Sequence, residues 1–220
     1  MPRIIPARRL LAAYSVGHFP MAETRNDEAV FWLDPPHRGV LPLDSFHVPK
    51  RLARTMRTSA FSVSVDRAFE DVIGNCAESA RGRDNTWING VIEQSYVQLF
   101  REGFAHSVEV WDGNDLVGGL YGVSIGSAFF GESMFSRRTD ASKIALVNLA
   151  LRLRRGNYQL LDTQFITEHL RQFGAVEVAR NAYKVMLAKA IKAPANIYEL
   201  GGTGEVLAAG AVLQLTTHTS

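Results

Sequence analysis

Two carboxylates in this chain sit where water should be scarce. Glu132 lies in Gly131-Glu-Ser-Met-Phe-Ser-Arg137, directly after the apolar run Ser127-Ala-Phe-Phe130, and Asp162 lies in Leu160-Leu-Asp-Thr-Gln164. A carboxylate taken out of water without a partner costs several kcal/mol or takes up a proton, so each implies a compensating group. For Glu132 two readings stand. It pairs with Arg137 or Arg138 or meets water at a sheet edge, which is structural, or it is held in a cleft for chemistry. Asp162 and Gln164 are two apart on an expected strand, so both project to one side of it. An Asp that holds a Gln amide, or accepts a proton from an attacking amine through it, suits acyl transfer. Polar residues meeting water at a strand end fit the same spacing.

The other reactive types are dispersed. His18, His37, His47, His106, His169 and His218 are scattered, and Cys76 is the single cysteine with no CxxC context. Neither pattern makes a metal site, so no metal and no cofactor is expected. One cysteine also points to an intracellular reducing compartment. Pro49 precedes Lys50, Arg51, Arg54 and Arg57, whose spacing on a helix gathers several cations on one face. That face is a polyanion contact or a solvated surface. Arg152, Arg154 and Arg155 close a second expected helix, where the negative end of the helix dipole accounts for them.

Composition bounds these alternatives. The chain has 220 residues, 46% hydrophobic and 21% charged, the profile of a globular protein with a sizeable core. A net charge of +2 does not by itself mark a nucleic-acid binder, and no run approaches membrane-spanning length. The opening residues read as a first helix ended by Gly17 rather than as a leader.

The elements that must position these groups emerge from periodicity and punctuation. After the first helix comes a Pro-rich segment with short strands around 30–33 and 39–41, and residues 1–46 read as a small N-terminal domain. Residues 47–220 read as the main domain. It begins with the basic helix, a strand at Ala60-Phe-Ser-Val-Ser-Val-Asp66, and two helices, the second ended by Gly103. Three antiparallel strands turn at Gly113-Asn114 and Gly126-Ser127. Then come a helix capped by Asp140, the Asp162 strand, a short helix capped by Thr167, a strand and a last helix.

That order is similar to the GNAT acyltransferases, an α/β (α+β) fold with a mixed, mostly antiparallel sheet in which two neighbouring strands splay apart at the acyl-transfer cleft. In that fold a glycine-bearing loop cradles the CoA pyrophosphate at a helix N-terminus. Here the loop is Ser136-Arg-Arg-Thr-Asp-Ala-Ser142. It has no glycine and carries Asp140 where a phosphate would sit, so acetyl-CoA is disfavoured.

A longer signature is more specific. Thr86-Trp-Ile88, Leu116-Val-Gly-Gly-Leu-Tyr-Gly-Val123, the Glu132 stretch, Asp140-Ala-Ser-Lys-Ile-Ala-Leu146, Leu160-Leu-Asp-Thr-Gln164 and His169-Leu-Arg-Gln-Phe-Gly-Ala175 occur in the order found in bacterial leucyl/phenylalanyl-tRNA-protein transferases. The chain resembles that family over roughly 10–191. The resemblance implies transfer of Leu or Phe from aminoacyl-tRNA to the α-amino group of proteins with N-terminal Arg or Lys. This marks them for degradation under the N-degron rule, in the cytoplasm, with no membrane and no cofactor.

It also implies residue roles. Trp32 and Trp87 match the adenine-stacking tryptophans, Leu120, Phe129, Met134 and Leu146 the aminoacyl pocket, and Asp162 with Gln164 the catalytic pair. Lys50, Arg51 and Arg54 become tRNA contacts, and Glu132 the acceptor-side carboxylate. Core packing is the plain alternative for the tryptophans and the pocket residues. Thr163 stands where relatives commonly have Cys, Leu153 where an aromatic residue is typical, and the tail from about 192 has no counterpart. Two rivals from other classes are a CoA-dependent N-acetyltransferase and a non-catalytic RNA-binding module, which would tolerate loss of Asp162.

Overall fold

The structure, a computed structural model, describes residues 4–78 and 86–214. His218 and the rest of 215–220 lie outside the described residues.

The chain begins with α1 (Ala7–Ser15), a hairpin of β1 (Phe19–Met21) and β2 (Phe31–Leu33), and β3 (His37–Val40). Next come α2 (Lys50–Thr58), β4 (Phe61–Val65), α3 (Phe69–Ala77) and α4 (Gly90–Arg101). Three long strands, β5 (Ala105–Asp112), β6 (Asp115–Ile125) and β7 (Ala128–Ser136), lead to α5 (Ala141–Arg155). The chain continues through β8 (Leu160–Gln164), α6 (Glu168–Arg171), β9 (Val176–Ala179) and α7 (Arg180–Ala190), and ends in β10 (Leu207–Ala208) and α8 (Ala211–Gln214). The helices and strands expected from periodicity are present, and β1, β10 and α8 are additional.

The fold is mixed α/β with a mostly antiparallel eight-stranded sheet in the order β10-β4-β5-β6-β7-β8-β3-β9. Only β7 and β8 run parallel. On one face α5 packs over β5, β6 and β7, and its buried Ala145, Leu149 and Leu153 join Val63, Val108 and Leu120 in one core. On the other face α1, α3, α4 and α7 bury Leu10, Ile73, Tyr96 and Leu187 with Tyr121 and Phe130 of the sheet. Strand alternation thus feeds two cores, one per face. Asn89 caps α4 by accepting from Ile92 N–H at 2.8 Å.

Regular pairing breaks down in two places around Glu132. Strands β7 and β8 pair only at Ala128–Phe130 with Leu160–Asp162, then part. At the same point β7 carries a bulge: Tyr121 faces Ser133 and Gly122 faces Gly131, so Glu132 is an extra residue with no partner on β6. A bulge bends its strand and re-aims a side chain. On its other edge β8 pairs with β3, at Gly39↔Gln164 and Val40↔Asp162. A Cβ on Gly39 would stand 2.7 Å from Thr163 Oγ1 and 2.9 Å from the Phe165 carbonyl carbon, so only glycine lets the two backbones approach this closely.

Candidate active site

The parting strands leave a cavity of about 570 Å³. Its apolar wall includes Leu120, Met134, Leu146, Leu149, Leu161 and Leu170, and its polar wall Glu132 and Thr163. Leu120 and Met134 are cross-strand partners on one face of the sheet, and Leu146 and Leu149 reach them from α5. Phe129 is on that same face but four residues further down β6, opposite Ser124. It is fully buried beside the Tyr158 ring, fills the space Gly122 leaves open, and is not among the lining residues.

Glu132 is 8% exposed and makes no pair with the nearby arginines. Arg137 reaches Glu78 at 3.0 Å, and Arg138 lies 3.9 Å from Asp112. Three neutral donors hold the carboxylate instead: Tyr14 Oη at 2.7 Å, Tyr96 Oη at 3.2 Å and Gln164 Nε2 at 2.8 Å. The two tyrosine hydroxyls also bond each other. With no cation against it, burial pushes the Glu132 carboxyl up to about 7, with the nearby Asp162 charge adding to the rise.

Asp162 is treated differently. It is fully buried against Arg38, itself 1% exposed, whose Nε lies 2.9–3.0 Å from both carboxylate oxygens. Tyr183 Oη donates to Asp162 at 2.6 Å and the Gln164 backbone N–H at 2.7 Å. Burial raises its pKa while Arg38, Tyr183 and Gln164 oppose the rise. The Arg38 guanidinium is in turn raised, its own burial outweighed by Asp162. Arg38 also donates to Gly17 O at 3.0 Å and lies over the rings of Phe19 and Tyr183. Gln164 therefore links the two acids, its backbone on Asp162 and its side chain on Glu132. It has φ 61°, and Phe165 N–H bonds Thr163 O at 2.7 Å around it, which makes a γ-turn.

Sequence reasoning placed Glu132, Asp162 and Gln164 in one cleft; the structure links the three through Gln164, and of them Glu132 alone is among the residues lining the cavity. It missed Arg38, Tyr14, Tyr96 and Tyr183. Arg38 stood in a turn-rich segment, and the tyrosines read as helix core. Trp32, on β2, and Trp87 are partly buried on the core side formed by α1, α3, α4 and α7. Ala22 N–H donates to Trp87 O at 3.2 Å, and Arg9 approaches the Trp32 ring at 5.9 Å. Neither tryptophan lines the cavity.

Lys50, Arg51, Arg54 and Arg57 are all exposed on α2, above buried Leu52 and Met56. Arg51 is bound through both terminal nitrogens to Asp140 at 2.8 and 2.9 Å, and Lys143 adds a contact at 3.2 Å. These partners, Arg51 first, hold the Asp140 carboxyl below its ordinary range. Asp140 thus occupies the α5 N-terminus, whose first amides are engaged by Arg138 O and Ser136 Oγ. Among the described residues no group of three or more His, Cys, Asp and Glu is placed to hold a metal ion. No helix there is long and apolar enough to cross a membrane.

The family described as leucyl/phenylalanyl-tRNA protein transferase matches residues 40–188, and the N-terminal domain described for that family matches residues 5–36. A leucyl/phenylalanyl-tRNA–protein transferase of Caulobacter vibrioides (strain NA1000 / CB15N) is 58% identical over 197 residues, covering 89% of this chain and 91% of that protein. One of Phenylobacterium zucineum (strain HLK1) is 56% identical over 216 residues, covering 97% and 98%. One of Rhodopseudomonas palustris (strain BisB18) is 57% identical over 191 residues, covering 87% and 83%.

Two stability measurements test the electrostatics. Glu132 binds its proton more tightly folded than unfolded, so its contribution is complete below the ordinary value of 4.5 and is lost as pH rises to about 7. Denaturant unfolding of wild type and Glu132→Gln across pH 4–8 should show the mutant gaining relative stability over that window, by on the order of 2–3 kcal/mol. A flat difference would mean the carboxyl is not desolvated. Arg38→Met leaves Asp162 buried and unpaired, and should cost about 3–5 kcal/mol at neutral pH, less in acid where Asp162 takes up a proton.

Proposed function

The chain belongs to the leucyl/phenylalanyl-tRNA protein transferase family, and we propose from that premise how its cavity carries out the reaction. The enzyme is an aminoacyltransferase: it moves Leu or Phe from aminoacyl-tRNA to acceptor proteins. The acceptors begin with Arg or Lys, receive the new residue on their α-amino group and are thereby marked for degradation, in the cytoplasm where charged tRNA is found. The observation that carries the assignment is Glu132, bonded by Gln164, in the lining of a cavity that Leu120, Met134 and Leu146 also line.

The apolar wall of leucines and Met134 receives the Leu or Phe side chain and rejects charged ones. Trp32 and Trp87 stack the terminal adenosine, an interaction worth about 1–3 kcal/mol per base without base-edge contacts. Lys50, Arg51 and Arg54 approach tRNA phosphates, with Arg51 shared with Asp140. The division into a small N-terminal unit, 1–46, and a transferase domain from 47 fits these roles, although β3 of the former lies in the sheet of the latter. The bulged β7 that parts from β8 supports a GNAT-like acyltransferase arrangement. Asp140 on the α5 N-terminus argues against CoA, because the position a pyrophosphate would need holds a carboxylate already bound by Arg51 and Lys143.

The ester of aminoacyl-tRNA is already activated, so positioning supplies much of the rate. Ideal intramolecular cases gain about 7–11 kcal/mol from it. The neutral amine attacks the ester carbonyl, the new C–N bond forms as the C–O bond to the ribose breaks, and the amine proton ends on the ribose oxygen. Gln164 Nε2 is committed to Glu132, which leaves Oε1 to accept from the amine. Asp162 is enclosed by Arg38 and Tyr183, so it acts on the amine as an electrostatic partner through Gln164 rather than by contact. Glu132 is the anion for the acceptor's Arg or Lys side chain. A cation entering beside it favours the ionised carboxylate, and the carboxylate in turn offsets the desolvation of the cation.

The purified protein should move labelled Leu from charged tRNA to a peptide beginning with Arg, and acetyl-CoA should neither serve as donor nor raise its melting temperature. An acetyl-CoA effect without aminoacyl transfer would favour the acetyltransferase reading. As pH rises through about 7, the KM of an Arg-first peptide should fall relative to that of a neutral-first peptide, a ratio that cancels titration of the α-amine. Glu132→Gln should flatten the ratio and lose most transfer to the Arg-first peptide. Equal losses on both peptides would make Glu132 an organiser of the cleft. Trp87→Ala should raise the KM of an aminoacyl-adenosine donor about tenfold, and an unchanged KM in a folded variant would leave Trp87 to the core.

A further inference from the structure

Helix α2 has little to hold it by itself. It is nine residues long, Pro49 gives it no side-chain cap, its first turn has no acid, and Lys50 and Arg51 stand at its positive end. Short helices are marginal without tertiary packing, and cations at the N-terminus oppose the dipole. Its order must come from outside. One anchor is Arg51 on Asp140, at its start. The other is at its end, and it is the tail beyond residue 192, for which the sequence offered no role.

Between residues 196 and 212 the tail runs from the end of α5 to the sheet edge beside β4 and is fastened at successive points. Asn196 N–H donates to Gly156 O at 3.0 Å just past the end of α5, and Ile197 is buried. Tyr198 Oη donates to Asp66 at 2.5 Å. Arg152, fully buried rather than serving the α5 helix end in solvent, donates through Nη1 to Gly201 O at 3.1 Å. Gly204 N–H reaches Val65 O at 2.7 Å, Leu207 and Ala208 pair with Val63 and Ser62 of β4, and Ala209 N–H donates to Phe61 O at 2.9 Å. Gly210 then lies against the last turn of α2, where a Cβ would stand 2.9 Å from Met56 O and 3.1 Å from Arg57 Cα. Val212 is fully buried in the core that holds Leu52 and Met56. The strap therefore closes the sheet edge beside β4 and seats the C-terminal end of α2 from beneath, while the opposite face of α2 presents Lys50, Arg54 and Arg57.

We propose that this strap, through Gly210 and Val212, is a positioning element for tRNA: it sets the direction in which α2 offers Lys50 and Arg54 to the phosphates. The proposal rests on the reading that α2 contacts tRNA. Backbone phosphate contacts fix the register of a nucleic acid on its protein, so a tilt of the helix carrying them weakens binding of the whole molecule without touching the chemistry at its 3′ end.

The test compares two donors, full-length charged tRNA and an aminoacyl-adenosine that lacks the tRNA body. In Gly210→Ala the added methyl meets α2 backbone that cannot yield cheaply, so strap or helix must shift. Its KM for charged tRNA should rise severalfold with a flatter salt dependence, while KM and kcat on aminoacyl-adenosine stay at the wild-type values. Equal losses on both donors would overturn the proposal, since the strap would then only stabilise the fold, and so would unchanged values on both. Should Gly210→Ala fail to fold, Val212→Ala, which leaves the backbone contact free of any clash, is measured on the same two donors: a loss confined to charged tRNA supports the proposal, and equal losses or none overturn it. The double variant Lys50→Ala/Arg54→Ala separates the underlying reading. If it raises the tRNA KM while the strap variants do not, α2 contacts tRNA and the strap proposal falls. If it leaves that KM unchanged, α2 is a solvated face and both ideas fall.

Discussion

The sheet around Glu132 depends on the ion pair between Arg38 and Asp162. Both are almost wholly removed from water, and neither charge is tolerable there alone. Their attraction offsets desolvation only with good geometry and further hydrogen bonds. The structure supplies both, with Arg38 Nε on the two carboxylate oxygens, Tyr183 and Gln164 N–H on Asp162, and Gly17 O and two aromatic rings around the guanidinium. The pair therefore joins four parts of the chain that are far apart in sequence: the loop after α1, β3, β8 and α7. Strand β3 pairs with the edge of β8 opposite the one β7 uses, and there it sets Arg38 against Asp162 with a compensated charge.

This arrangement makes two neighbouring acids different. Asp162 has a fixed cation, which with Tyr183 and the Gln164 N–H opposes the rise that burial imposes on its pKa. Glu132 has only neutral donors and burial, which carry its pKa to about 7. Two carboxyls close enough to feel each other, one held by a cation and the other by neutral donors alone, have environments suited to distinct roles in one site. Asp162 is enclosed and acts through what it holds. Glu132 lines the cavity, and its charge depends on what arrives there.

The sequence made part of this legible. Val108, Val110, Val63 and Val65 alternate as sheet residues should, and the turns at Gly113 and Gly126 announce the meander, whereas Gln164 reaches Glu132 through a γ-turn and not through the strand alternation that its spacing from Asp162 suggested. Glu132 was visible as an anomaly, a carboxylate after an apolar run. Its partners were not visible, because Tyr14 and Tyr96 come from two helices distant in the chain, and a tyrosine in an amphipathic helix looks like any other core residue. Arg38 was hidden more completely. A strand inserted between β8 and β9 is a long-range pairing with no local signal, and the prolines before it read as turn. The Phe129 expectation shows the limit of alternation from the other direction. Parity puts it on the pocket face, but only the register opposite Ser124 places it too far along β6 to reach the cavity, where it fills the room that Gly122 vacates.

Gln164 gathers these constraints into one residue. A non-glycine residue with positive φ at the centre of a γ-turn is strained by about 1–3 kcal/mol and persists only when its surroundings over-determine it. They do so here through three independent contacts: Asp162 takes its backbone N–H, Glu132 takes its side-chain amide, and Gly39, lacking a Cβ, lets β3 close over the turn. A relaxed, extended backbone at this position would continue β8 and carry the amide away from the Glu132 bulge. The carboxylate of Glu132 would then lose its Gln164 donor. The turn keeps the Gln164 amide at the one place where the sheet opens, so the strain at Gln164 and the bulge at Glu132 are two halves of one device: each strand leaves regular geometry where the other does, and the site lies between them.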